Sequence, residues 1–409
     1  MNTTLNLSKK SFAIYGLGTT GKSVIDYFKK LGFKNYTMWD DNKILQNSWR
    51  LNKKKEKDFL ELIDFVDYIV ISPGINIRKT KLKKILAKHK HKMITDLDLF
   101  YMLNPRIKSV VVTGTNGKST TCKIIEHVLK KNKINTALGG NIGRPVLSLS
   151  LKKNPLTIIE ASSFQLAYSK FVKPDYALIL NITKDHLDWH GSMNNYIQSK
   201  LKIFSLQKKN NFAFVNNKNL LKKFKEKRYQ GNLKFIKSKD YKKIKKRIKN
   251  NYLNSEANQE NMSFVYVLSK IFKISDNDFV RALKSFKGLE HRHEIFYRKQ
   301  NIIFINDSKA TTFQASKFAL KSNENIFWIV GGLPKLGDCF KLGKLKKNII
   351  KSYVVGKNMK YFKNQLKGKI DFKLSSTLNN AVVSIFKDIK NIKKKQNYYN
   401  TVESSQRII

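Results

Sequence analysis

The chain has 409 residues, of which 41% are hydrophobic and 11% aromatic, and its formal net charge at pH 7 is +52. A disordered polycation lacks the apolar residues that offset the entropy of ordering, so this composition excludes that class and predicts several folded domains. Lysine and arginine occur along the whole chain and not in one basic segment, which argues against nucleic-acid binding as the main function.

The sequence has no apolar run of about 18 residues, and residues 1–10 are polar without an apolar signal core. We therefore expect a cytoplasmic protein without membrane insertion. Cys122 and Cys339 lie far apart and lack the spacing of a disulfide framework or a zinc site, so both are predicted to be reduced thiols.

Short β-rich runs alternate with longer helical patterns from one end to the other. This alternation predicts α/β domains, in which helices cover parallel sheets. Polar clusters follow most of the predicted strands, and in open parallel sheets that edge binds ligands. We expect domain boundaries near Asp96 and Gly288, which gives three domains, 1–96, 97–288 and 289–409.

The first predicted strand, residues 12–15, leads into a glycine turn. Gly16, Gly18 and Gly21 form a G-x-G-x-x-G sequence before a predicted helix, and Asp40 follows the second predicted strand. In such turns the glycines let the backbone approach a diphosphate at the helix N-terminus, and the acid accepts a ribose hydroxyl. A tight turn without a nucleotide is the alternative. From this turn alone, an NAD(P)-dependent oxidoreductase is a candidate.

A second glycine turn, VVVTGTNGKSTT at residues 110–121, joins an apolar strand to a helix. Backbone N–H groups of such a turn bind phosphates, a lysine neutralises phosphoryl charge, and a serine hydroxyl can bind Mg²⁺. The spacing from Gly114 to Gly117, Lys118 and Ser119 is shorter than in the usual eight-residue loop. We still predict a nucleoside-triphosphate site here, since no structural role requires this combination of residues.

Carboxylates and a histidine follow the next two predicted strands. Glu160 ends a strand in IIEASSFQL, and Asp185, His186 and Asp188 follow one in NITKDHLDWH. Hard oxygen ligands suit Mg²⁺, which a triphosphate site needs. Alternatively, Glu160 is an acid at a helix N-terminus, and His186 and His190 are surface histidines.

Six segments stand out by their order along the chain: GTNGKST (114–120), EASSFQL (160–166), NITKDHLD (181–188), NQEN (258–261), GLEHRHE (288–294) and NDSKAT (306–311). Together with SPG (72–74), TDLDLF (95–100) and GGNIGRP (139–145), they resemble the motifs of the Mur ligase family. Within that family, the resemblance is greatest to the branch that adds D-glutamate.

The resemblance implies a three-domain α/β fold. It consists of an N-terminal Rossmann-like UDP-binding domain, a central P-loop ATPase domain with a parallel sheet, and a C-terminal Rossmann-like domain. The implied activity is that of an ATP-dependent ligase, which joins D-glutamate to UDP-N-acetylmuramoyl-L-alanine through an acyl phosphate in peptidoglycan precursor synthesis. ATP and Mg²⁺ would be required, and we expect a monomer with no nucleic-acid partner.

The resemblance also assigns the ATP and metal sites. The ATP-binding residues are Gly114, Thr115, Asn116, Gly117, Lys118, Ser119, Thr120, Asn258, Asn261, Arg292 and Asp307. The implied metal ligands are Ser119, Glu160, His186 and Lys200, and the implied catalytic residues are Lys118, His186 and Lys200. Lys200 would be a ligand as a carbamate, because an ammonium repels Mg²⁺ and a carbamate behaves as a carboxylate. From composition alone, Lys200 would be a solvated lysine, and Asn258 and Asn261 would be polar residues on a helix surface.

The substrate-binding residues follow from the same resemblance. The UDP part would contact Gly16, Leu17, Gly18, Thr19, Thr20, Asp40, Ser72, Pro73 and Gly74. Asn141 would lie near the muramoyl part, and Lys309, Thr311 and Lys335 would hold D-glutamate. Without the resemblance, Lys335 would be an ordinary loop lysine.

The resemblance weakens at the end of the chain. Family members continue with a strand, a serine–proline motif and an aromatic segment, and neither the motif nor the aromatic helix is recognisable in residues 391–409. We therefore expect the chain to be divergent or truncated after about residue 395, which leaves open a partly inactive ligase. Two further hypotheses stay open: a sister ligase that uses another amino acid or a folate-type substrate, and a basic nucleic-acid-binding NTPase.

Overall fold

The computed structural model describes residues 6–250, 252–253, 256–334, 338–341, 343–396 and 406–408. The chain forms two compact units, Met1–Phe286 and Lys287–Ile409. Both contain parallel sheets with helices between the strands, which confirms the predicted α/β class. The division into three domains at residues 96 and 288 stays a prediction.

The first unit begins with a parallel sheet of four strands. The strand order is β2–β1–β3–β4, and each neighbouring pair is parallel. They are β1 (Phe12–Tyr15), β2 (Tyr36–Trp39), β3 (Tyr68–Ile71) and β4 (Met93–Ile94), and the accompanying helices are α1 (Thr19–Leu31), α2 (Lys43–Ser48), α3 (Lys53–Leu62) and α4 (Lys83–Lys88). Strand β1 is buried at every residue, as expected of a central parallel strand with a continuous apolar sequence.

A second parallel sheet, with six strands in the order β10–β9–β8–β5–β7–β6, completes the first unit. Its strands are β5 (Ser109–Thr113), β6 (Thr136–Gly140), β7 (Leu156–Glu160), β8 (Tyr176–Ile179), β9 (Phe212–Val215) and β10 (Asn232–Phe235). Its helices are α5 (Asp96–Leu103), α6 (Lys118–Lys131), α7 (Ser163–Tyr168), α8 (Leu187–His190), α9 (Met193–Leu201), α10 (Lys218–Glu226), α11 (Ser238–Lys245), α12 (Glu256–Ile271) and α13 (Asp276–Lys284).

One hydrophobic core joins the two sheets of the first unit. It contains Phe12 and Ile14 of the first sheet, Val111 and Ile159 of the second, and the apolar side chains of α5. Helix α5 is buried on nearly all sides, including the carboxyl groups at its N-terminus. The sequence TDLDLF therefore forms the connection between the two sheets and belongs to the core.

The second unit contains one six-stranded sheet in the order β11–β12–β16–β13–β14–β15, in which only the β11–β12 pair is antiparallel. The strands are β11 (Glu294–Lys299), β12 (Ile302–Asn306), β13 (Ile326–Gly331), β14 (Ile349–Val355), β15 (Phe372–Ser376) and β16 (Gln406–Ile408), and the helices are α14 (Phe313–Lys321), α15 (Met359–Leu366) and α16 (Leu378–Gln396). Tyr353 and Val354 belong to separate hydrophobic clusters, because successive side chains of a strand point to opposite faces. The sheet is therefore covered by helices on both sides.

Strand β16 was not predicted from the sequence. Gln406–Ile408 pairs in parallel with β12 on one side and β13 on the other, so it lies inside the sheet. The expected divergence after about residue 395 therefore does not remove a strand from this position. Residues 397–405 and 409 lie outside the described part of the chain.

Within the described ranges, no helix is both long enough and apolar enough to span a bilayer.

Candidate active site

The predicted phosphate loop connects β5 to the N-terminus of α6. Gly117 is the N-cap of α6 with φ 83°, in the left-handed region that favours glycine, and a Cβ there would overlap the side-chain amide of Asn261. No side chain caps the helix, so the N–H groups of its first turn face the loop. The loop and the helix N-terminus together are suited to bind an anion.

The loop lysine folds back onto the loop. The ammonium of Lys118 donates to the carbonyl oxygens of Gly114 at 2.9 Å and Thr115 at 2.7 Å. Ser119 and Thr120 follow in the first turn of α6, Ser119 half-buried and Thr120 buried. All seven residues of GTNGKST thus lie in one turn and the helix that follows it.

Residues after β8 hold the loop from one side. The backbone N–H of Thr115 donates to the carbonyl oxygen of Asn181 at 2.9 Å, and Thr115 Oγ1 lies 2.9 Å from the Tyr196 hydroxyl. The Asn181 side chain accepts from the Asn116 N–H at 2.9 Å and donates to the Asn116 carbonyl oxygen at 3.2 Å. Sequence analysis missed Asn181, although its place directly after the strand beside the loop was a signal.

Glu160 ends β7 and is 2% exposed. Its Oε1 accepts from Asn141 Nδ2 at 2.7 Å, whereas Oε2 is buried and has no hydrogen-bond partner among the described residues. A buried carboxylate oxygen without a donor is costly unless a cation compensates it. The donor set at this strand end therefore fits a hard cation such as Mg²⁺.

Lys200 lies on α9 and is 1% exposed, so it is not a solvated lysine. Its Nζ donates to the Gly114 carbonyl oxygen at 2.8 Å and lies 4.6 Å from the centre of the Tyr196 ring. Burial, and next the Lys118 ammonium, hold the pKa of Lys200 well below its usual range, against the opposing charges of Asp185 and Glu160. The amine lies next to the phosphate loop and tends to be neutral.

His186 and His190 occupy the short turn after β8. His186 has φ 53°, contacts Asp185 at 3.3 Å through Nε2 and packs on Phe164 at a centroid distance of 4.7 Å. His190 is buried, lies 3.0 Å from Ser163 Oγ through Nε2 and stacks on Phe164. Burial is the main cause that lowers the pKa of His190 to about 4. The surface interpretation of His190 is therefore wrong: it is a core residue that supports the His186 turn.

Asn258 and Asn261 are buried on α12, 6% and 4% exposed, which corrects the interpretation of both as helix-surface residues. Asn258 Nδ2 donates to the Tyr252 carbonyl oxygen at 2.8 Å, and Asn261 Nδ2 donates to Asn258 Oδ1 at 3.2 Å. Asn261 also packs against Gly117 of the phosphate loop.

The first glycine turn lies at the carboxyl edge of the four-stranded sheet. Gly16 has φ 96°, and a Cβ at Gly21 would overlap the Gly16 carbonyl oxygen, to which Ser72 Oγ donates at 2.6 Å. Asp40 is buried and accepts from the backbone N–H of Leu17 at 2.6 Å and of Asn42 at 2.7 Å. Asp40 therefore fixes the turn through its carboxylate.

The remaining residues of this expected site adjoin the turn. Gly18 precedes α1 without a side-chain cap, Thr19 and Thr20 begin α1, and Pro73 and Gly74 follow Ser72 beyond β3. The next residues contact helices α7 and α8 beside the second sheet, since Ile77 N–H donates to the Tyr168 hydroxyl at 3.2 Å and Asn76 Nδ2 donates to the Trp189 carbonyl oxygen at 3.4 Å.

In the second unit, Arg292 and Asp307 lie near each other. Burial raises the pKa of Asp307 to about 6, while the N–H of His293, at 2.9 Å, and the Arg292 charge oppose the shift. Arg292 Nε is buried without a hydrogen-bond partner among the described residues. Lys309 and Thr311 are exposed, and Lys335 lies outside the described residues.

Comparison with protein families gives two matches. A model of the Mur ligase middle domain matches residues 112–277, and a model of the MurD-like N-terminal domain of Mur ligases matches residues 10–94. These ranges contain the phosphate loop and the first glycine turn, respectively.

Among solved structures, the UDP-N-acetylmuramate–alanine ligase MurC from Thermotoga maritima superposes with a TM-score of 0.56 at 17% identity, over 98% of this chain and 94% of that one. A MurF ligase from Thermotoga maritima in complex with ADP also gives 0.56, at 15% identity over 88% of each chain. At these identities the likeness concerns the fold.

Relatives at higher identity match nearly the whole chain. The UDP-N-acetylmuramoylalanine–D-glutamate ligase of Wolbachia sp. subsp. Brugia malayi (strain TRS) is 31% identical over 96% of this chain and 92% of its own length. The enzyme of the same name from Francisella philomiragia subsp. philomiragia is 32% identical over 90% of this chain and 85% of its own length. Identity at this level along nearly the full length, together with both domain matches, establishes that the chain belongs to the Mur ligase family.

Proposed function

We propose that the chain is an ATP-dependent ligase that joins D-glutamate to UDP-N-acetylmuramoyl-L-alanine in peptidoglycan precursor synthesis. The observation that carries the proposal is the 31% identity, over 96% of the chain, to a UDP-N-acetylmuramoylalanine–D-glutamate ligase. The glycine loop at the α6 N-terminus, with Lys118 folded into it, supports the ATP part of the proposal.

The proposed route activates a carboxylate before the amide forms. A carboxylate is a poor electrophile until one of its oxygens becomes part of a leaving group. Its oxygen attacks the γ-phosphorus of ATP, ADP leaves, and the acyl phosphate is then attacked by the amine of D-glutamate with release of phosphate. The N–H groups of the loop and the Lys118 ammonium stabilise the negative charge on the transferring phosphoryl group.

Ser119, Glu160 and His186 would hold Mg²⁺, which would neutralise phosphate charge when bound. The unpartnered Glu160 Oε2 supports this assignment. The Lys200 amine adjoins the loop at the Gly114 carbonyl oxygen, and its pKa, which is depressed mainly by burial, favours the neutral form. A neutral amine can attack CO₂, forming an N–C bond and releasing one proton, so the proposed carbamate at Lys200 has a chemical basis.

The carbamate has its own test. Protein equilibrated with ¹³C-bicarbonate should give a carbamate NMR signal that is lost in Lys200→Arg, since a guanidinium does not form it. The same signal in both proteins would place the label on another amine and contradict the assignment.

The other expected contacts are part of the same proposal. The first glycine turn with Asp40 and Ser72–Gly74 would hold the uridine diphosphate, and Asn141 the muramoyl side. In the second unit, Arg292 and Asp307 would contact the nucleotide, and Lys309, Thr311 and Lys335 the D-glutamate. A cytoplasmic location, a monomeric state and the lack of a nucleic-acid partner stay predictions.

A phosphate-release assay tests the proposal. It contains ATP, Mg²⁺, UDP-N-acetylmuramoyl-L-alanine and D-glutamate, with each omitted in turn and DNA then added. We expect release only in the complete mixture and no stimulation by DNA. Release without the UDP-sugar, release driven by DNA, or equal release with another amino acid would overturn the proposed function.

A further inference from the structure

The Asn181 side chain, which holds Asn116 of the phosphate loop, is called the clamp below. A carboxylate outside the expected site, Glu260, contacts this clamp. The Asn181 side chain accepts a hydrogen bond from the Asn116 N–H and donates one to the Asn116 carbonyl oxygen. Its Nδ2 also donates to Glu260 Oε2 at 3.3 Å. The other oxygen of Glu260 accepts from Asn216 Nδ2. Glu260 lies on α12, between the buried Asn258 and Asn261, and its hydrogen-bonded link to the loop runs through Asn181.

Only one orientation of the Asn181 amide satisfies these contacts. The Asn116 N–H requires an acceptor, and the Asn116 carbonyl and the Glu260 carboxylate require donors. With the amide reversed, its oxygen would face both the carbonyl and the carboxylate, and the Asn116 N–H would face an NH₂ group. An ionised carboxylate can only accept, so Glu260 is the group that makes the reversed orientation most unfavourable.

We propose that Glu260 is a positioning residue for nucleotide binding: it fixes the orientation of the Asn181 amide, which in turn holds Asn116 of the phosphate loop. This inference rests on the proposed nucleotide site. Among the described residues, the hydrogen bonds of Glu260 are with the Asn181 and Asn216 side chains and not with the loop backbone. An effect of Glu260 on nucleotide binding should therefore require Asn181. This requirement distinguishes positioning from a general electrostatic effect of the carboxylate.

The test uses the full chain with Glu260→Gln, Asn181→Ala and the double variant. A glutamine at position 260 has one acceptor for two amide donors, so it cannot hold both Asn181 and Asn216 as the carboxylate does. Glu226→Gln makes the same chemical change on α10, where Glu226 is exposed and 3.7 Å from Lys222. It is the matched control.

Two measurements are made on each protein. Hydrogen exchange of the Asn116 amide in the nucleotide-free protein reports the clamp directly. Because the charge-assisted bond is lost, we expect Glu260→Gln to raise that exchange rate roughly tenfold. Calorimetry with ADP and Mg²⁺ should give a Kd raised about three- to tenfold, with the Kd for UDP-N-acetylmuramoyl-L-alanine and the Tm unchanged.

The double variant decides between positioning and an independent effect. If Glu260 acts through Asn181, the double variant should bind ADP no more weakly than Asn181→Ala alone. Additive losses, or exchange at Asn116 equal to that of Glu226→Gln, would overturn the inference. If the wild-type protein does not bind ADP, the proposed function fails, and the exchange rates still decide whether Glu260 orients the clamp.

Discussion

At the scale of single residues, burial distinguishes Lys200 from the many surface lysines of this chain. The chain has 81 lysine and arginine residues, and composition alone predicts that any one of them is solvated. Lys200 is instead 1% exposed, and its ammonium or amine donates a hydrogen bond to the phosphate loop. The family motif identified this position, but only the fold explains why its amine is shielded from water.

Glu160→Gln is the most informative single substitution. It removes a buried charge whose Oε2 has no partner among the described residues, so the ligand-free protein should unfold at the same or a higher temperature. The rise in Tm on adding ADP and Mg²⁺ should be lost, and kcat should fall at least about a hundredfold.

Glu61→Gln on helix α3 is the control for this change, since the exposed Glu61 forms a surface ion pair with Lys57 at 3.7 Å. Surface pairs of this kind contribute at most about 1 kcal/mol. A normal Mg²⁺-dependent rise in Tm for Glu160→Gln would contradict the metal assignment.

At the scale of elements, the turn that begins α6 depends on one left-handed glycine. Gly117→Ala would strain a backbone at φ 83° and push a Cβ into the Asn261 amide. We expect a loss of about 1–3 kcal/mol in unfolding free energy and weaker ADP binding, measured by urea unfolding and calorimetry.

Gly18→Ala is the matched stability control, because a Cβ at Gly18 meets no atom within 4 Å and its φ is −65°. Equal stability losses at Gly18 and Gly117 would show that left-handed geometry is not the cause.

Helix α5 carries a buried acid that makes stability depend on pH. Asp96 is 1% exposed, and its oxygens accept from Gln165 Nε2 at 3.3 and 3.4 Å. Burial raises the pKa of Asp96 to about 6, against the opposing Gln165 hydrogen bond. The folded state thus binds this proton more tightly than the unfolded chain does. The associated stability is fully present below about pH 4 and is lost as pH rises through about 6.

Asp96→Asn should remove this loss, because an amide stays neutral and can still accept from Gln165. Urea unfolding from pH 4 to pH 8 measures this. The unfolding free energy of the variant should rise relative to wild type up to about pH 6.5, by up to about 3 kcal/mol, and the difference should then stay constant. Asp26→Asn, on an exposed face of α1, controls for the substitution itself. A difference between wild type and Asp96→Asn that does not change with pH would contradict a buried, shifted Asp96.

The sequence predicted local elements of the site better than long-range contacts. Strand ends, the two glycine turns and the acid after β7 follow from residues close in the chain, so Gly117, Lys118 and Glu160 could be found from pattern alone. The roles of Asn181 and the burial of His190 depend on packing between distant segments. A histidine after a polar turn has the same local sequence whether it is exposed or stacked on Phe164.

At the scale of the whole molecule, the second unit depends on a strand from the far end of the chain. Arg407 pairs with Ile303 of β12 and with Ile326 of β13, so its backbone lies inside the sheet. No local pattern predicted this strand, because it forms by pairing with two strands that lie about 80 to 100 residues earlier in the chain.

Arg407→Pro should therefore destabilise the second unit, since proline removes a ladder N–H from a central strand and leaves an acceptor unpaired, at a cost of about 1–3 kcal/mol. Arg407→Ala keeps that N–H and should cost far less. Limited proteolysis of residues 287–409 and thermal unfolding measure the difference. Equal behaviour of the two variants would show that β16 adds little to this sheet.

The net charge of +52 has a limited role at this scale. All proposed substrates are anions, so the positive field can accelerate their encounter with the protein, and added salt should lower kcat/KM through slower association. The chemistry itself is assigned to a few lysines, among them Lys118 and Lys200.

In the proposed reaction, the carboxylate of UDP-N-acetylmuramoyl-L-alanine is phosphorylated before D-glutamate attacks it. The direct measurement uses that substrate with ¹⁸O in its alanyl carboxylate, together with ATP, Mg²⁺ and D-glutamate, and mass analysis of the released phosphate. We expect one ¹⁸O atom in each phosphate, because the attacking carboxylate oxygen leaves with the phosphoryl group. Phosphate without ¹⁸O, formed at the same rate as the amide, would contradict it.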